Sequence, residues 1–280
     1  FGCCTHTAEV ASSSLAGSIE SFKKLELMSI WFYYEMSRFL IMKTGLFIII
    51  VLVSGCFAGL IHGGINLAIV EPYLDQAIGI ENQTLFATGE EEDTPEFWVE
   101  YNSYRVWQKG GQVLAGAILG TSIAALVGIV FLFARKVLPE GNNVKKTLVL
   151  SGLMWFTVFV IPFLKYPANP PTVGETETVV LRSILFLSFI AISGLGAVGF
   201  YQVYKRLQNK KILAFVGYAI FISAVFFIMP ENPDEITAPM ELVDGFRGAS
   251  FVAVTVYWLT LGLILGGFIE KLQERLKLKN

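Results

Sequence analysis

Two histidines stand among the 280 residues, His6 and His62, and only His62 falls inside a long uncharged stretch. Asn66 follows it by four positions, so on a helix the two side chains share a face, with Gly63 and Gly64 between them. An imidazole held in lipid can offer a neutral nitrogen to a transition metal or relay a proton. Glu71 comes about a turn later, and Asp75 and Glu81 follow beyond Pro72. A cation approaching from that side would meet Asp75 and Glu71 before His62. Carboxylate and imidazole together suit a borderline ion such as Co²⁺ or Ni²⁺ better than soft Cu(I). The expected ligand set is therefore His62, Asn66, Glu71, Asp75 and Glu81. The plainer alternative makes His62 an interhelical hydrogen-bond partner.

Other chemistry is sparse. Arg182 and Arg247 stand at the mouths of two later apolar blocks, where an arginine serves as a gate, balances acids such as Glu177 and Asp244, or snorkels to the interface. Cys3, Cys4 and Cys56 are too few for a disulfide framework, and there is no CxxC. Met229 and Met240 offer too little sulfur for a soft-metal site. Trp155, Trp258, Tyr201 and Tyr204 read as packing or interfacial anchors. No P-loop, GxGxxG, HExxH or Gly-x-Ser-x-Gly occurs, and no histidine pair for haem. The chain is not read as an enzyme, and no permanently bound cofactor is expected.

The elements that must hold these residues follow from composition. The chain is 54% hydrophobic and 16% charged, with mean hydropathy +0.60, against about 25% charged in soluble domains. Six uncharged blocks approach the roughly 20 residues a helix needs to cross a bilayer: residues 45–70, 112–134, 147–164, 183–204, 212–229 and 248–269. The third and fifth are near the short limit. The expected fold is all-α, six transmembrane helices. Sixteen of the 21 basic residues lie on one side of these blocks, together with both termini. The positive-inside rule makes that side cytoplasmic, for a multi-pass protein of the cell membrane. The other side carries 16 of the 23 acids, which would enrich cations near it. No basic stripe suggests nucleic acid; membrane lipid is the expected surrounding. Residues 1–41 are unlike the rest and read as an N-terminal extension, upstream of a natural start at Met42 or else an interfacial segment. Residues 42–280 form the six-span domain.

The blocks repeat. The third ends in Pro167-Ala168-Asn169-Pro170 and the fifth in Pro230-Glu231-Asn232-Pro233. An acidic loop and an arginine follow each. The first hairpin has a looser version, Glu71-Pro72 and then Arg105. The chain thus reads as three tandem helical hairpins turning at prolines. Small residues recur at four-residue spacing: Gly55, Gly59 and Gly63; Gly116, Gly120, Ala124 and Gly128; Gly262 and Gly266. Such faces let membrane helices approach closely, and the first two spans are expected to pack through them.

Several motifs fall in a known order. IVEPYLDQAIGIE (69–81) follows a glycine-rich first span. Then come Gln112 to Gly128, FLKYPANPP (163–171) with TVGE after it, MPENP (229–233), and Phe246-Arg247 leading into a glycine-rich last span. From Met42 on the chain resembles the CbtA family of proposed cobalt transporter subunits. The resemblance implies inward movement of cobalt, commonly with a small one-span partner that carries a histidine-rich metal site. It departs from the family pattern at Asn169 and Asn232, in its longer acidic first loop and in residues 1–41. The expected function is inward transport of a divalent transition-metal cation, cobalt foremost. The alternative is a non-transporting structural subunit of a larger membrane complex.

Overall fold

A computed structural model describes residues 44–171, 173–207 and 210–277. The expectations for residues 1–41 lie outside these. The chain forms two units, residues 1–49 and 50–280; of the first, only the opening turns of a helix are described.

Every regular element among the described residues is helical. Helix α1 (Thr44–Ile65) passes through a π turn (Asn66–Val70) into α2 (Glu71–Thr88) without a break. Gly89 ends α2 at φ 76°, a left-handed conformation in which its N–H reaches back to Leu85 and Phe86. Thr94 caps α3 (Pro95–Ala134) by accepting from the Phe97 N–H at 3.2 Å. Next come α4 (Asn143–Trp155), a second π turn (Phe156–Val160) and α5 (Ile161–Lys165), again one continuous rod. Then follow α6 (Val179–Arg206), α7 (Ile212–Ile228) and α8 (Met240–Lys277).

Among the described residues five stretches are long and apolar enough to cross a membrane: Thr44–Thr88, Pro95–Ala134, Asn143–Lys165, Thr176–Arg206 and Met240–Arg275. The sixth apolar helix, α7, has 17 residues, about 26 Å at 1.5 Å per residue, a little less than the roughly 30 Å hydrocarbon layer. Large apolar side chains lie bare on these helices, Phe133 at 83% and Phe227 at 84% exposure among them, which water would penalise and lipid does not. The chain is a multi-pass membrane protein, helical throughout its regular elements among the described residues.

The first hairpin departs from the expected one. The sequence places residues 71–111 in a loop that turns at Pro72, yet nearly all of it is helix, and the turn lies at Gly89–Thr94. Proline lacks an N–H and its ring clashes with the carbonyl four residues back in a regular helix. The π turn just upstream widens the rod and lets it run on through Pro72 at the loss of one backbone bond. The first hairpin therefore carries helix well past its apolar blocks.

Glycines set the closest contacts. A Cβ on Gly120 would lie 2.6 Å from the Gly55 carbonyl oxygen and 2.7 Å from Gly59 Cα, and one on Gly63 would lie 2.8 Å from Val113 Cα. At Gly59, Gly63 and Gly120 backbone meets backbone, so α1 and α3 touch there with no side chain between them. Helix α4 meets α8 the same way: the buried Thr147 hydroxyl donates to the Gly262 carbonyl at 2.7 Å, and a Cβ on Gly262 would crowd Leu148 and Ser151. The Tyr257 hydroxyl on α8 donates to Gly120 O at 2.9 Å, tying that helix to α3. Helices α6 and α7 pair reciprocally, Phe221 over Gly196 and Phe200 over Gly217.

Candidate functional site

The His62 ring is fixed at both nitrogens. Nδ1 stands 3.1 Å from the Ala253 carbonyl oxygen of α8. A carbonyl only accepts, so Nδ1 carries the proton. Nε2 is then an acceptor, and the Asn66 amide donates to it at 3.3 Å. The ring also lies edge-on to Tyr257, 5.9 Å between centroids. In this arrangement neither nitrogen has a free lone pair for a metal.

Next on the chain is the π turn. Glu71 N–H reaches back five residues to Asn66 O instead of four. A π turn inserts about one extra residue. At about 100° per residue Glu71 would otherwise point roughly 80° away from Gly63. The insertion removes most of that offset and turns Glu71 toward α3, the helix that Gly63 touches. There it meets Arg105. The two side chains, 7% and 8% exposed, form a charge-assisted bond. The Arg105 Nη2 also donates to Asp75 Oδ1 at 2.6 Å and Nη1 to Gln108 Oε1 at 2.7 Å. Lys109 Nζ donates to Asp75 Oδ2 at 2.9 Å and lies 3.9 Å from Glu71. Two acids and two bases thus close a compact ring with no formal net charge.

The expected ligands are strung out rather than gathered. From His62 to Asp75 is 13 residues, about 20 Å of helix. Glu81 is exposed, two turns farther out. Among the described residues no group of three or more His, Cys, Asp or Glu side chains stands close enough to share a metal.

The two later arginines tie loops together. Arg182 Nε pairs with Asp234 at 2.7 Å and Nη2 donates to Glu175 O at 3.1 Å; Glu177 is exposed beside them. The same Asp234 accepts from the Thr178 hydroxyl at 2.6 Å. Arg247 donates twice to Asn169 Oδ1, at 2.8 and 3.3 Å, and stands 3.8 Å from Asp244. The proline turns join across: Tyr166 donates to Pro230 O at 2.6 Å, and Asn232 Oδ1 accepts from the Asp234 N–H. Burial pushes the Tyr166 phenol above its usual pKa, so it stays a donor. Pro170 is buried, Pro167 half-buried, and Pro230 and Pro233 exposed.

Arg105, Lys109 and Asp234 are partners to which nothing in the sequence pointed. Pro162 is another unexpected residue, following the second π turn as Pro72 follows the first. In both turns the last bond spans five residues, Ile161 N–H to Phe156 O in the second. The readable signal was Glu-Pro and Ile-Pro late in two apolar runs.

A family model described as a probable cobalt transporter subunit, CbtA, matches residues 45–270. No curated protein and no solved structure matches the chain.

Proposed function

We propose, because the chain belongs to the CbtA family of probable cobalt transporter subunits, that it moves a divalent transition-metal cation inward as the membrane subunit of a transporter, with cobalt the leading ion. The observation that carries this reading is a file of polar groups along one helix: Asp75 and Glu71 in the charge ring, then Asn66 and His62 in the apolar span. They are too far apart for one centre, so an ion would be handed from one to the next.

Asp75 and Lys109 are the loosest members of the ring, 44% and 37% exposed. An arriving cation can displace the Lys109 ammonium from Asp75 while Arg105 and Glu71 stay paired inside. Deeper in, binding at His62 Nε2 requires only that the Asn66 amide swing off a long bond. The acidic side of the chain would face outward and gather the ion, and both termini would lie in the cytoplasm. A small histidine-rich, one-span chain is the proposed partner. The rival reading, a structural subunit that moves nothing, draws on the same ring, since each of its charges is already compensated.

Uptake of Co²⁺ into proteoliposomes, with this chain alone or with the small partner, separates the two. His62→Ala and Glu71→Gln should each lower uptake by about tenfold or more, the usual scale for losing a ligand or its support. Unaltered uptake in both variants would remove these residues from the path, and no uptake with any partner would favour the structural subunit.

A further inference from the structure

The two π turns leave the same backbone group behind. Where Ile161 N–H bonds to Phe156 O and Pro162 has no N–H, the carbonyl of Thr157 loses its helical donor. The structure supplies another: the buried Ser193 hydroxyl of α6 donates to Thr157 O at 2.6 Å. In the first hairpin Glu71 N–H bonds to Asn66 O and Pro72 has no N–H. By the same reasoning the orphan there is Leu67 O. Among the described residues no side chain donates to it.

A second acceptor lies in the same interval on the facing helix. Gly63 touches Val113, and Glu71 bonds Arg105, so residues 64–70 of one rod and 106–112 of the other lie between these two contacts. Gln112 Oε1 in that interval is buried without a hydrogen-bond partner. Two neutral oxygens, each stripped of donors at membrane depth, are costly unless something positive meets them. Carbonyls freed where membrane helices are interrupted are a recurrent means of holding cations.

We propose that Leu67 O and Gln112 Oε1 form a neutral-oxygen binding step for a divalent cation, between the charge ring and His62. This rests on the transport reading above and adds two ligands to it. Neutral oxygens hold an ion without the grip of a carboxylate, so it can leave again toward His62. Pro72→Ala returns an N–H that can donate to Leu67 O or restore the regular helix; either way the carbonyl is closed.

The test is Co²⁺ titration of the purified full chain in detergent by calorimetry, beside proteoliposome uptake. Pro72→Ala and Gln112→Leu should each weaken Co²⁺ binding by about tenfold, a loss of about 1.4 kcal/mol, while Pro162→Ala, whose carbonyl Ser193 already serves, should leave it unchanged. Wild-type affinity in both Pro72→Ala and Gln112→Leu overturns the site, as does an equal loss in Pro162→Ala or the lack of saturable binding in the wild type. Uptake by the wild type with unaltered affinity in the variants defeats this site alone. Binding that responds as expected, without uptake under any condition, defeats transport and leaves the site standing.

Discussion

Arg105 and Glu71 are each buried beside the other, and a buried ion pair is costly to break from one side only. Arg105→Ala leaves the buried Glu71 carboxylate only the Lys109 ammonium, 3.9 Å away, and should cost about 3 kcal/mol, whereas replacing both with apolar residues should be close to neutral. Unfolding of detergent-solubilised protein, with the double variant Arg105→Met/Glu71→Leu beside the single one, measures this. A double variant as unstable as Arg105→Ala would mean the pair itself, not its compensation, holds the hairpin. His62 answers to the same accounting: both of its nitrogens are occupied, so its contribution in this arrangement is a tie between α1 and α8.

At the scale of the element, the glycine seam and the π turn do the positioning. Gly59→Leu forces side-chain atoms into the backbone of Gly116 and Ala117, while Gly64, one position past the seam, has nothing within 4 Å of its Cβ direction. Overpacking of this kind costs about 1–3 kcal/mol or more. Gly59→Leu should therefore lower the unfolding temperature clearly and Gly64→Leu hardly at all. The π turn has its own signature. Deleting Ala68 removes the extra residue and swings Glu71 off Arg105. Added to that deletion, Arg105→Ala should cost much less than it does in the wild type. Equal costs in the two backgrounds would show that the turn does not aim Glu71.

For the whole molecule, the arrangement to test is the sidedness proposed from lysine and arginine. In a cysteine-free background, Glu92→Cys lies in the Gly89–Thr94 turn and Glu140→Cys in the loop before α4. A membrane-impermeant maleimide on intact cells should label the first, and the second only after permeabilisation. The reverse pattern would invert the topology and with it the direction of the acidic face. Short α7 bears on the same scale: it stays close to the bilayer normal or draws lipid thinner around it.

One-dimensional patterning already controls which segments cross the membrane and which residues share a face. Uncharged runs of about 20 residues must be helices, because lipid offers backbone groups no other partner. Glycines four apart, such as Gly116 and Gly120, must share a face. The tertiary structure decided what depends on phase and on distant neighbours. Pro72 reads as a breaker until a π turn upstream lets the helix pass through it. Glu71 and Asp75 read as free acids until Arg105, 34 and 30 positions away, is seen to neutralise them. Asp234 reads as a loop residue until Arg182 closes on it. Charges pair through space, and only the packing of α1 and α2 on α3 says which base stands opposite which acid.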